Sequence, residues 1–69
     1  MRYSELTRKL RRIGIEFRRQ ARGSHEIWWD PQRKRYTLIP NHPGADIKKK
    51  TLAKILKDLG LTERDLKGL

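Results

Sequence analysis

Apolar residues along the chain fall into blocks of two different periods, and each change of period marks a new element. Leu6, Leu10 and Ile13 recur at spacings of four and three, which predicts an amphipathic helix of about three turns. Ser4 stands where an N-cap is expected and Gly14 where the helix should end. Beyond Gly14 the period drops to two: Ile15 and Phe17 alternate with Glu16 and Arg18, the pattern of a half-buried strand. Arg22-Gly23-Ser24 breaks that strand. A second is predicted at His25-Glu26-Ile27-Trp28-Trp29, with His25, Ile27 and Trp29 on one face and Glu26 and Trp28 on the other. Asp30-Pro31-Gln32-Arg33 reads as a turn, Arg35 to Ile39 as a third strand, and Pro40 to Gly44 as a loop leaving the sheet.

The last third returns to helical spacing. Leu52, Ile55, Leu56 and Leu59 form one stripe ended by Gly60, with Lys50, Lys54 and Lys57 on the opposite side. Thr62 and Asp65 have the spacing of a capping box, and Leu61 and Leu66 that of a hydrophobic staple around a short terminal helix. Short connections imply an antiparallel meander. The expected fold is α+β, in the order α-β-β-β-α with a short extra C-terminal helix. Residues 1–69 read as a single domain, and two helices on one face of a three-stranded sheet would bury every apolar stripe at once.

Composition narrows the function. The 69 residues carry 18 Lys+Arg against 8 Asp+Glu, a net charge of +10, with no cysteine. So small a domain without disulfides must rely on its apolar faces or on a partner. No apolar run approaches the roughly twenty residues of a membrane span, and the first ten residues lack a secretory signal; the expected setting is soluble and cytoplasmic, with no membrane partner. The charge is uneven: residues 1–22 sum to +6, residues 23–47 to zero and residues 48–69 to +4. A polyanion such as nucleic acid, an anionic membrane or an acidic protein would fit that surface.

Signatures of nucleotide and metal chemistry are missing: no phosphate-binding glycine loop and no His/Cys/carboxylate cluster at ligand spacing. No cofactor and no metal are expected. Histidine remains as the side chain able to exchange protons near neutral pH. RNA carries its own nucleophile, the 2′-hydroxyl beside the scissile phosphate, so one imidazole with cations to stabilise the phosphorane suffices for cleavage. His25 is the candidate for that role, against the plainer reading of a packing or capping residue at a strand start. Ser24 has no acid to complete a triad and reads, with Gly23, as a turn residue shaping the loop. His42 reads as a loop cap, with a second acid/base group as the alternative. One Trp of the pair belongs to the core, and the other is free to stack on a base or pack against a partner. Candidate phosphate contacts are Arg8, Arg11 and Arg12 on the first helix, Arg18, Arg19 and Arg22 at the strand edge, and Lys48, Lys49 and Lys50.

Gly23-Ser24-His25, the Trp pair, Ile39-Pro40-Asn41-His42-Pro43-Gly44 and the run Thr51 to Thr62 occur in an order and at spacings that closely resemble the HicA toxin family. The resemblance covers nearly the whole chain. It implies a fold similar to the double-stranded-RNA-binding domain, and a messenger-RNA-cleaving endoribonuclease toxin that inhibits translation and is neutralised by a HicB antitoxin covering its active site. By position the family's catalytic histidine falls on His25. Lys50 departs from the Gly that many relatives have before Thr-Leu. Two other readings remain from the residues: a non-catalytic RNA-binding module of the same fold, and a basic surface whose only role is to dock an acidic protein.

Overall fold

A computed structural model describes residues 1–69. The order is α1 (Tyr3–Ile13), β1 (Glu16–Gln20), β2 (His25–Asp30), β3 (Arg35–Pro40), α2 (Lys49–Leu59) and α3 (Glu63–Leu66). The three strands form one antiparallel sheet in the order β1-β2-β3, so the α+β architecture read from the sequence is the observed one.

One apolar cluster joins the elements. Leu6 and Leu10 from α1, Ile55, Leu56 and Leu59 from α2, and Trp28 and Ile39 from the sheet are all buried in it. Trp28 is the largest fully buried side chain, and at about 25 cal/mol per Å² of apolar surface it is a leading contributor to stability. Leu61 and Leu66 close the cluster below α2. Thr62 and Asp65 form the expected capping box, with the Asp65 carboxylate accepting from the Thr62 backbone N–H at 2.8 Å.

Three local readings change. The N-cap of α1 is Arg2, not Ser4, and it makes no side-chain cap bond. Arg2 is held by a bridge to Asp46, and the Ile47 amide donates to the Met1 carbonyl at 2.8 Å. Those main-chain bonds fix the entry to the helix, which begins before Ser4. The first strand is exposed along its whole length, not half-buried. Ile15 is buried just ahead of it, and Phe17 stays 45% exposed while meeting Trp28 edge-on at 6.0 Å. The cause is an irregularity between Phe17 and Arg19, which leaves Arg18 without a cross-strand partner and interrupts the alternation, as a bulge in an edge strand does. β2 runs one residue further than expected, to Asp30, which also opens the expected turn, the Lys34 amide donating to its carbonyl at 2.8 Å. The buried Asp30 carboxylate accepts from the Gln32 and Arg33 amides at 3.0 and 3.2 Å and from the Arg33 guanidinium at 2.9 Å.

Gly60 ends α2 in the left-handed region, φ 71°. An added Cβ there would sit 3.3 Å from the Arg35 guanidinium carbon, so Gly60→Ala is expected to destabilise by about 1–2 kcal/mol, read as a fall in melting temperature.

Candidate active site

Backbone bonds, more than side-chain packing, present His25. Gln20 donates from its side-chain Nε2 to the Gly23 and His25 carbonyls at 3.0 and 2.9 Å, and the His25 backbone N–H donates to Arg22 O at 3.1 Å. Gly23 takes φ 61°, the left-handed geometry that closes this turn at least cost with glycine. His25 therefore begins β2 with an exposed ring. Its Nδ1 lies 3.3 Å from Arg22 O. A carbonyl oxygen only accepts, so this contact calls for the proton on Nδ1; in the neutral ring the lone pair is then on Nε2, the form that a general base requires.

The loop after β3 folds back on the same turn. Asn41 N–H donates to Ser24 O at 2.9 Å, and Ser24 Oγ lies 3.1 Å from His42 Nε2. His25 and His42 consequently line one cavity of about 440 Å³ together with Lys48, Thr51 and Asp46. A second cleft, of about 370 Å³, continues from His25 past Leu38 to Lys50 and Lys54. Two imidazoles and three ammonium groups thus border connected open space; Asp46 is the carboxylate in the lining, and Asp58 pairs with Lys54 at 3.0 Å.

The anchor of this arrangement is Glu26, buried at 7% exposure on the inner face. Its Oε1 accepts from Tyr3 Oη at 2.6 Å and from Trp28 Nε1 at 3.0 Å, and its Oε2 accepts from the Asn41 amide at 3.0 Å. One carboxylate so ties α1, the core and the His42 loop. Burial alone would push the Glu26 carboxyl up, but the bonds from Tyr3, Trp28 and Asn41, with Arg11 nearby, together hold it below its ordinary value. Tyr3 is pushed up to about 12, chiefly by burial and then by Glu26. At Asp30 burial also opposes ionisation, and Arg33 and the turn amides outweigh it. Both carboxyls are lowered by folding, so their contribution is present above their ordinary values of 4.5 and 3.8 and is lost as pH falls through the folded-state values. Thermal melts should hold steady down to about pH 5 and decline progressively below about pH 4. Glu26→Gln should flatten part of that slope.

The sequence-derived candidates separate spatially. His25, Lys48 and Lys50 line the two clefts; Gly23 and Ser24 line neither and form, with Arg22, the turn that leads into His25, where Ser24 touches His42. Lys49 is exposed in the first turn of α2 and lines neither cleft. Arg8, Arg11 and Arg12 lie on α1 away from both: Arg8 donates to Leu69 O at 3.3 Å, and Arg11 stands 5.1 Å over the Trp28 ring. Arg19 donates to Gln20 O at 3.3 Å. Sequence reasoning passed over Glu26, Asn41 and Thr51 and left Lys54 out of the site. The signal for Glu26 was its place on the same strand face as Trp28.

A family model described as the HicA toxin of bacterial toxin-antitoxin matches residues 3–61. No curated protein and no solved structure matches the chain.

Proposed function

The chain belongs to the HicA toxin family, and from that premise we propose that it is a metal-independent endoribonuclease that cleaves messenger RNA and so inhibits translation. A toxin of such a system has a cognate antitoxin as its partner. The observation that carries the catalytic reading is the His25 imidazole, exposed beside a cationic cleft with its Nδ1 proton committed to Arg22 O.

In the proposed reaction His25 Nε2 takes the proton of the 2′-hydroxyl as that oxygen attacks the adjacent phosphorus. The new 2′-O–P bond forms and the P–O5′ bond breaks. The 5′-oxygen leaves with a proton supplied by an acid across the cavity, where His42 stands. Products are a 2′,3′-cyclic phosphate and a 5′-hydroxyl. Lys48, Lys50 and Lys54 supply positive charge for the phosphorane oxygens, a stabilisation that operates in the transition state. All reacting groups are then provided by the protein and by RNA itself, and the mechanism calls on no metal.

Incubation of purified protein with messenger RNA in excess chelator tests this. Cyclic-phosphate and 5′-hydroxyl ends are expected; a requirement for added divalent cation, or 5′-phosphate ends, would contradict it. RNA that is retained but never cut would instead favour a binding module. For the antitoxin we propose a HicB-type protein that places acidic groups over the His25 cleft. The net charge of +10 favours such an inhibitor through steering and contact alike.

A further inference from the structure

The sheet's outer face carries apolar groups, and on its β1 side arginines, that the reaction at His25 leaves unused. Cross-strand register places Ile27 beside Leu38 and Trp29 beside Tyr36 on that face, with His25 at the end of the same β2 row. Tyr36 is 61% exposed and Leu38 43%, a concentration of open apolar surface unusual for so small and charged a chain. Cations border it on both long sides. On the β1 side Arg19 pairs in register with Ile27, and the unpaired Arg18 brings its guanidinium 5.2 Å over the Trp29 ring. Arg18, Arg19, Ile27, Trp29 and Tyr36 together enclose an open pocket of about 370 Å³. On the other side Lys50 and Lys54 border the cleft that links Leu38 to His25. Glu16, opposite Trp29, is the anion paired across this face, and Asp58 holds Lys54 at 3.0 Å on the far side.

We propose that this face is a stacking platform for unpaired bases of single-stranded RNA, holding the substrate strand beside the phosphate presented to His25. The inference rests on the ribonuclease reading above and adds a specificity surface to it. Four residue steps of extended strand lead from His25 to Trp29, about 13 Å at the usual rise, so a strand bound at His25 continues directly onto the rings. Tyr36 offers a free aromatic face, and the Arg18 guanidinium over Trp29 is a further plane on which a base can stack. Cations along both sides follow the phosphates. A duplex keeps its base faces inside, so the platform selects unpaired RNA.

The test compares Tyr36→Ala and Trp29→Ala with Tyr36→Phe and Trp29→Phe. Binding is measured in a His25→Ala background to an RNA of about twelve nucleotides, single-stranded or annealed to its complement. Each alanine variant should weaken binding of the single strand about tenfold, and leave duplex binding unchanged. With His25 present, KM for long RNA should rise by a similar factor while kcat stays within about twofold. The phenylalanine variants should stay near wild type. Tyr36 is mostly exposed, so Tyr36→Ala should keep its fold by circular dichroism and carry the test if Trp29→Ala does not. If wild type cuts long RNA and the folded alanine variants match its affinity and KM, the platform is overturned and the ribonuclease reading stands. The platform is equally overturned if those variants lose only antitoxin affinity or self-association, which would make the face a protein interface. Wild type that neither binds nor cuts RNA would remove the ribonuclease reading and the platform with it.

Discussion

Glu26→Ala is expected to cost about 3 kcal/mol or more, because it strips the acceptor from three donors at once. Trp28 Nε1 is then buried with no partner, and the Tyr3 hydroxyl and Asn41 amide lose their bonds as well. A domain of this size has only about 5 kcal/mol of stability to lose, so the variant should be largely unfolded at physiological temperature. Denaturant melts measure the effect. Glu26→Gln keeps an acceptor oxygen but brings its own N–H donors to a site already full of donors, and should cost about 1–2 kcal/mol. The two variants also report on function. Asn41 immediately precedes His42, so any folded Glu26→Gln protein should cleave RNA more slowly while binding it normally. Wild-type stability in Glu26→Ala would mean that the three donors find other partners and that the carboxylate is not the anchor described.

His25→Ala carries the other large effect. Removing a positioned general base lowers rates by about 10²–10⁴-fold, and cleavage should fall by that factor in single-turnover assays. The ring is exposed, and the bonds that shape its turn come from Gln20 and the backbone. Stability should therefore change by less than about 1 kcal/mol. RNA affinity should persist, because the proposed phosphate contacts are made by other groups, the cleft lysines and the arginines of β1. Wild-type cleavage by a folded His25→Ala protein would remove His25 from the mechanism. A parallel fall in binding and cleavage would make it a binding residue instead.

Element order was legible in the sequence because each element obeys its own period. Leu6 and Leu10, or Ile55, Leu56 and Leu59, recur on one helical face and are buried there. Gly60 ends α2 and Thr62 opens α3 for local reasons that need no knowledge of the tertiary fold. Departures arose where a distant partner overrode the local signal. Ser4 has the chemistry of a cap, yet the pairing of Arg2 with Asp46, far along the chain, sets the start of α1. An irregular register cannot be read from alternation, so the exposure of β1 was hidden. Glu26 lay hidden for another reason: a charged residue inside a strand reads as solvent-facing until its three donors are in place. At the site, sequence singled out His25 and the Gly23-Ser24 turn but could not show His42 folding back to Ser24, because only the loop's path decides that. Nor could it sort the cations, since a basic helix face looks alike whether it borders a cleft, as Lys50 and Lys54 do, or stacks on the core, as Arg11 does on Trp28.

The central claim is that His25 takes a proton from the 2′-hydroxyl of RNA. The most direct measurement gives the wild-type protein one sequence in two forms, ordinary RNA and its 2′-O-methyl counterpart, in the presence of chelator. The ordinary strand should be cut to cyclic-phosphate ends while the methylated strand is bound and left intact. Cleavage of both strands would show that the nucleophile is not the 2′-oxygen, and would contradict the mechanism built on His25.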